Sequence, residues 1–434
     1  MLQTMRNAFK IPELKKKLIY TLFILIVYRI GAVIPVPYVQ PALIQYKSGS
    51  IFEYLNILSG NSFSEATLFA LSISPYITAS IVIQLLCVAI PALEKLSKEG
   101  EEGKKKLNAI TRYVTVGLAL LTSIGYYMLM RNTYNCLTAQ GKTLFGAVVI
   151  IACYCAGAAI IMWLGEKINE NGIGNGISMI LFANIVASGP TLVTNLVNSF
   201  ITYVKQIIAG QYIGILWIVL TLLAVVGVCA IVVFVVFITD SERRLPVQYA
   251  KRVVGRKMYG GQSSNLPIKL NMSGVMPIIF SSSIISLPIT IMQFCGLSTD
   301  NFWYKLFSTD SALYIILFFV LIIAFSYFYI AISFNPQEVS NNLQKNGGFI
   351  PGIRPGRPTA EYISKVLSKV TLMGAMFLSV IAVLPLIVNA LSGNALAGIA
   401  FSGSSLLILV GVAIETAREI EAQMTMRHYK GFLE

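Results

Sequence analysis

The sequence predicts an all-α protein that crosses a membrane many times. Hydrophobic residues make up 56% of the 434 positions and charged residues only 12%, which is about half the charged fraction of a soluble protein. Apolar runs of about 18–25 residues recur, each long enough to cross about 30 Å of hydrocarbon as a helix. Loops rich and poor in basic residues alternate between these runs. Together these observations exclude a soluble globular class.

Ten apolar runs are predicted to be spans. They lie near residues 18–37, 67–90, 113–130, 144–164, 176–196, 213–238, 272–295, 312–334, 370–391 and 398–417. Gly189 and Pro190 interrupt the fifth run. The stretch "GIGNGIS" (172–178) is expected to separate the fourth span from the fifth. No β-α-β unit surrounds it, so its glycines do not indicate a nucleotide loop.

The basic residues orient the spans. Alternate compartments hold 27 and 5 Lys and Arg residues, and basic residues favour the cytoplasmic side. Both termini are therefore predicted to be cytoplasmic. Ten spans divide into two sets of five, and an odd number per set places the halves in opposite orientations. This count, without internal sequence identity, predicts an N-terminal half (1–205), an inverted C-terminal half (206–421) and a short tail (422–434).

The segment 49–68, after the first span, is too short to cross the membrane. Ile51, Leu55 and Leu58 form one apolar stripe with Phe52 beside them, and Gly60 ends it. Residues 50–58 would make a helix only about 13 Å long. A re-entrant helix fits where protein or a water-filled cavity surrounds it. The alternative is an amphipathic helix on the outer surface.

The loop 240–271 has short β-prone pieces between turn residues, so a projecting hairpin is predicted. Its positive charges would alternatively serve topology and contact lipid headgroups. Its basic side chains include Arg243, Arg244, Lys251, Arg252, Arg256 and Lys257.

The loop 334–369 contains "GIRPGRPT" (352–359). Pro355 and Pro358 exclude the interior of a helix or sheet. A loop this stiff and basic would be a poor solvated spacer. Its two arginines are Arg354 and Arg357, for which setting topology is one available role.

The residues for catalysis or ion coupling are missing. The spans contain Arg29 and Glu415 and almost no other ionisable residue, and Arg29 is expected to reach a headgroup or neighbouring carbonyls. The only histidine is His428, and no nucleotide-binding or zinc-protease motif occurs. The six cysteines have no metal or disulfide spacing. We therefore expect no catalytic residue, metal or cofactor. If the protein moves a substrate, the energy must come from an external source.

Five stretches, in order, resemble the SecY family of bacterial protein-conducting channels. Together they extend the resemblance from about residue 10 to about residue 425. They are "YRIGAVIPVP" (28–37), "SISPYITASIVIQLL" (72–86), "WLGEKINENGIGNGIS" (163–178), "YAKRVVGRKMYGGQSSNLPIKLNMSGVMP" (249–277) and "FNPQEVSNNLQKNGGFIPGIRPGRPTAEYI" (334–363).

The resemblance implies an hourglass channel of two five-helix halves around a central pore. Its waist would be a ring of apolar side chains that dewets the constriction and seals around a passing chain. On spacing alone, the same residues are ordinary core or lipid-facing residues. The ring would comprise Ile73, Ile77, Ile177, Leu181, Ile279 and Ile408, with leucine at 181 where isoleucine is common.

The same resemblance implies moving parts. Segment 49–68 would be a plug in the outer funnel. Spans two and three would face spans seven and eight across a lateral gate that opens to lipid. Ser281, Ser282 and Ser283 lie at that seam, although small residues there also simply allow close helix packing. Both cytoplasmic loops would dock the SecA motor ATPase or a ribosome, with Arg354 at the position of a functionally sensitive arginine.

The resulting hypothesis is a passive channel in the bacterial cytoplasmic membrane. It would translocate unfolded secretory precursors that carry signal peptides and release transmembrane segments into lipid, together with SecE-like and SecG-like subunits. The short tail "EAQMTMRHYKGFLE" puts docking by a longer carboxyl end in doubt. A uniporter for a small solute and an intramembrane enzyme are the alternatives, the second disfavoured by the missing catalytic pairs.

Overall fold

The computed structural model describes residues 8–41, 56–132, 134–208, 213–249, 252–254, 257–259, 263–294, 301–308, 311–391 and 402–430. Ten helices of 16 or more residues lie within these ranges, one for each predicted span. They are α1 (Pro12–Gly31), α2 (Ser74–Ala89), α4 (Glu101–Asn132), α5 (Leu144–Asn171), α6 (Gly176–Ile208), α7 (Ile213–Asp240), α8 (Met276–Phe294), α10 (Ala312–Ser333), α12 (Arg357–Leu391) and α13 (Ser402–Lys430). Three shorter helices are α3 (Pro91–Lys98), α9 (Phe302–Phe307) and α11 (Pro336–Lys345).

Length and composition single out four helical stretches in the described ranges as sufficient to cross a bilayer by themselves. They are 101–132, 144–171, 312–345 and 357–388. A fifth results if α2 and α3 form one span, although the chain bends by 102° between them. The helical fold class is as predicted, and a total of ten spans is consistent with it.

Two predicted span boundaries are wrong. The first helix ends at Gly31 instead of residue 37, because Pro35 and Pro37 follow and Pro35 forms a β-bridge with Thr67. The second begins at Ser74 instead of residue 67, because Pro75 favours the first helical turn. The expected break at "GIGNGIS" is confirmed, since α5 ends at Asn171 and α6 begins at Gly176.

The predicted hairpin in loop 240–271 is confirmed. Strands β1 (Glu242–Tyr249) and β4 (Ser263–Lys269) pair antiparallel, and β2 (Arg252–Val254) pairs with β3 (Lys257–Tyr259) nearer the tip. The short strand β5 (Gly348–Phe349) adds to the free edge of β1. Leu245, Val247 and Ile268 are buried against apolar side chains of α10 and α12. The two basic loops therefore form one packed unit.

The "GIRPGRPT" stretch is only partly outside regular structure. Residues 352–356 form turns, but α12 begins at Arg357, so residues 357–359 are its first turn. Pro358 is accommodated there because the first turn of a helix needs no amide donor. The prediction that the stretch lies outside the interior of a helix is therefore confirmed, and its last three residues begin one.

The long helices pack around two extended apolar clusters. One lies among α1, α2, α5, α6, α8, α10 and α13, and the other lies among α4, α5, α7, α8, α10, α12 and α13 and the chain before α2. Helix α8 contacts both α2 and α4, and α13 contacts α6 and α7. This arrangement brings α2, α6, α8 and α13 to a common centre.

Candidate functional site

Six branched apolar side chains belong to one cluster at that centre, and five of them, all except Ile177, line a common cavity. Ile73, Ile77, Leu181, Ile279 and Ile408 are each at most 4% exposed, and Ile177 is half-buried against them. The local sequence explains the pairs: Ile73 immediately precedes α2 with Ile77 one turn later, and Ile177 and Leu181 are one turn apart in α6. We call these six residues the apolar ring.

A small cavity of about 110 Å³ lies beside the apolar ring. Ring residues from all four helices line it, and the chain segment before α2 closes it through Leu58 and Phe63. Its remaining wall comes from α2, α4 and α8 and carries several hydroxyl groups: Thr78, Thr122, Ser282, Ser283, Ser286 and Thr290. The site is therefore a dry constriction with a mildly polar side wall.

Residues 56–73 form a folded cap on one side of the ring. Residues 56–58 are helical, and turns follow. The turns are held by side chains, since Asn56 Oδ1 accepts from Ser64 N at 2.9 Å and Ser59 Oγ accepts from Phe63 N at 3.0 Å. Tyr126 also donates its hydroxyl to the carbonyl of Phe63 at 2.7 Å.

The described part of the predicted plug is thus buried among helices. Ile57, Ser59 and Phe63 are at most 6% exposed, which contradicts a surface helix for these residues. Leu58 lines the cavity and Gly60 follows the helical turn with φ +64°. The other predicted plug residues, Ile51, Phe52 and Leu55, lie outside the described residues.

A larger polar cavity lies on the opposite side of the ring. Its volume is about 550 Å³, and its lining includes Lys269, Glu415, Arg418 and Glu419. Burial lowers the pKa of the Lys269 ammonium, and the nearby positive charge of Arg418 lowers it further. The small cavity is bounded by the ring itself and is mostly apolar, whereas the larger cavity is lined by charged side chains.

Of the three serines of α8 predicted at the seam, two line the cavity there and one does not. Ser282 and Ser283 line the cavity that faces α2 and α4, whereas the completely buried Ser281 is outside its lining. All three hydroxyls donate to carbonyls of their own helix at 2.7–2.9 Å. Such bonds satisfy a hydroxyl in an apolar setting, so these serines also serve as small packing residues.

The arginines of the predicted docking surface differ in their bonds. Arg244 pairs with Glu242 at 2.7 Å, and Arg357 pairs with Glu361 at 3.4 Å. Arg354 is exposed, and in the part of the chain that the structure describes its guanidinium has no ion pair. Its carbonyl accepts from Thr359 Oγ1 at 2.8 Å, which fixes the loop from within.

The other docking residues are less fully described. Arg243 is exposed on β1. Arg252 and Lys257 are placed only by their backbones, on β2 and β3, and Lys251 and Arg256 lie outside the described residues.

Two buried polar residues were misjudged or missed from the sequence. The Nη1 atom of Arg29, expected to reach a headgroup or carbonyls, is buried beside Gly60. Asn184 of α6 is completely buried and bonds to the carbonyl of Leu58 at 2.7 Å. An amide inside an apolar span is costly unless it has a partner, and that cost was the available signal for Asn184.

The described residues contain no group of three or more His, Cys, Asp or Glu side chains placed to hold a metal ion. Within the same ranges, Cys87, Cys136, Cys153, Cys155 and Cys229 are free thiols. Cys295 lies outside them.

The chain is similar to known proteins in both sequence and architecture. The family model for SecY matches residues 67–417. The protein translocase subunit SecY of Streptomyces coelicolor is 44% identical over 457 residues that cover all of both chains. A solved protein-conducting channel is 18% identical, with a TM-score of 0.69 over 94% of this chain and 92% of that one. Sec61 from a canine ribosome-channel complex has a TM-score of 0.65 at 17% identity, with the same coverage.

Proposed function

The chain belongs to the SecY family and forms a protein-conducting channel, and we propose that the apolar ring is its resting constriction. The observation that carries this proposal is the convergence of branched apolar side chains from four separate helices on one cavity, with a second cavity, lined by charged side chains, further along α13. Side chains without hydrogen-bonding groups make such a constriction, the neck of the channel, unfavourable for water and ions. They also pack around an extended polypeptide without holding any particular sequence.

Residues 49–68 act as the plug of this channel. Support comes from the burial of Ile57, Ser59 and Phe63 on one side of the ring and from the position of Leu58 in the cavity wall. While residues 56–73 are in place, a chain that passes the ring meets folded protein. The plug must therefore move before a precursor passes.

The contact of α8 with α2 and α4 is the lateral gate between the two halves, 1–205 and 206–421. Ser282 and Ser283 line its cavity. Small side chains with internally bonded hydroxyls allow two helix surfaces to part and meet again without leaving polar groups bare. This exit would release apolar segments of a precursor into lipid.

The hairpin and the loop 350–356 form the docking surface for the partner that supplies force. The chain offers Arg354 on a loop fixed by the Thr359 bond, and exposed Arg243 on the hairpin. A rigid basic surface suits the SecA ATPase or a ribosome, both of which present acidic groups. The channel itself is passive and non-enzymatic.

The setting of the channel is the bacterial cytoplasmic membrane, with both termini in the cytoplasm and with SecE-like and SecG-like subunits bound. The distribution of basic residues, 27 against 5, supports this orientation.

Reconstitution tests the function. The purified complex in proteoliposomes is given SecA, ATP and a precursor with a signal peptide, and protease-protected precursor is measured. Protection that depends on ATP and SecA is expected. Flux of small solutes without either component, and no protected precursor, would support a solute facilitator and contradict the proposal.

A further inference from the structure

The base of the plug is bonded to the middle of α6. The carbonyl of Leu58 accepts from Asn184 Nδ2 at 2.7 Å and from the hydroxyl of Ser72 at 3.2 Å. The preceding carbonyl, of Ile57, lies 3.4 Å from Ser188 Oγ, whose single proton also has the carbonyl of Asn184 in its own helix within 3.2 Å. Asn184 and Ser188 are one turn apart in α6, so one face of this helix contacts two consecutive peptide groups of the plug, and Asn184 makes the stronger bond.

Gly60 lets a third element approach the same point. A Cβ atom on Gly60 would lie 2.7 Å from Arg29 Nη1 and 3.0 Å from Asn184 Oδ1, and its φ is +64°. Both of these atoms are buried, and neither has a hydrogen-bond partner among the described residues. The positive guanidinium of α1 and the negative end of the Asn184 amide therefore converge on the plug at its only residue without a side chain between Ile57 and Ser64.

Tyr28 closes the cluster from behind. Its ring is completely buried and stacks on Phe69 with centroids 5.4 Å apart. Its hydroxyl lies near Asn184 and Ser72 without a hydrogen bond of ordinary geometry to either. The surroundings are thus apolar, and bonds in such surroundings are stronger than in water.

We propose that Ser72 and Asn184, beside the guanidinium of Arg29, form a polar clasp that holds the plug in its closed position. This inference rests on the proposed function of residues 49–68 as a plug. Ser72 and Asn184 are positioning residues, since they act through the plug and not on the passing chain. When the ring opens and water enters, water replaces the bonds to Leu58, so the clasp opposes the first displacement of the plug and little thereafter.

The test is Asn184→Leu in the full reconstituted complex, with resting ion flux as the readout. Leucine keeps a similar volume and removes the strongest bond to Leu58. The population of displaced plug, and with it the flux, should rise roughly tenfold, as expected for the loss of one buried hydrogen bond. The control is Ser123→Ala, which removes a buried hydroxyl that bonds only to its own helix, at Ala119. Its flux should not change.

Combining Asn184→Leu with a deletion of residues 50–64 distinguishes the clasp from a general structural role of Asn184. Asn184→Leu should add nothing to the flux of the deleted channel, because its partner Leu58 is absent. An equal increase with and without the plug, or no increase in the intact channel, overturns the clasp.

A different result would contradict the proposed plug function of residues 49–68 itself: a deletion that, alone, leaves the resting flux unchanged. If Asn184→Leu does not accumulate, Ser72→Ala removes the second donor to Leu58 and allows the same comparison with a smaller expected increase.

Discussion

Replacing Ile408 with serine should open the resting seal to ions. Ile408 is 1% exposed within the apolar ring, so water that enters the neck must uncover it. Exposure of a buried isoleucine costs about 2 kcal/mol, and a serine hydroxyl bonds to water instead. The hydrated state of the neck is therefore favoured by up to about 2 kcal/mol, which is a population increase of roughly 30-fold.

The assay is single-channel conductance of the purified complex in planar bilayers without precursor or motor. The matched control is Ile414→Ser, on the same helix and 4% exposed, in the other apolar cluster. Both variants should lose similar thermal stability, since both remove buried apolar groups. Only Ile408→Ser should conduct at rest. Equal conductance of the two variants, or none in either, would refute the assignment of the ring.

Three other changes test other parts of the channel. Deletion of residues 50–64 should leave a folded channel that leaks more often at rest and still transports precursor; failure of the protein to insert would contradict this. Arg354→Glu should cause a severe loss of SecA-driven precursor translocation at normal abundance, whereas Arg357→Glu, whose arginine is already paired within α12, should be milder; equal effects would indicate bulk charge. Arg112→Ala should lower the free energy of unfolding by about 1–2 kcal/mol, because it removes a bidentate pair, at 2.8 and 2.9 Å, between a half-exposed guanidinium and the mostly buried carboxylate of Glu166. Thermal unfolding measures that loss, and the exchange of both charges should restore part of it.

Much of the helical framework was predictable. Long apolar runs predicted the ten helices in order, and the clustered turn residues of loop 240–271 predicted a hairpin. The errors fall at prolines. Helix α1 ends earlier than predicted because of Pro35 and Pro37, and α2 begins later than predicted, with Pro75 in its first turn. Hydropathy misses these boundaries because it takes no account of the amide donor that proline lacks.

The candidate site was predictable only by resemblance. Nothing in the local pattern distinguishes Ile408 from Ile414, since both are buried isoleucines of one apolar helix. Which one faces the neck depends on where α2, α6 and α8 pass. Asn184 is a similar case, because its role depends on the carbonyl of Leu58, which is 126 residues away in the chain.

The sequence by itself determined that the chain is a bundle of membrane helices whose loops alternate between rich and poor in basic residues; the cytoplasmic location of the basic loops stays a prediction. These properties follow from the transfer of each segment between water and hydrocarbon, which depends on composition and length alone. Only the tertiary structure decided that apolar side chains of four helices line one cavity, that Arg29 and Asn184 converge on Gly60, and that β5 joins the hairpin. Such contacts join residues far apart in the chain, and they depend on the angles and rotations with which helices pack against one another.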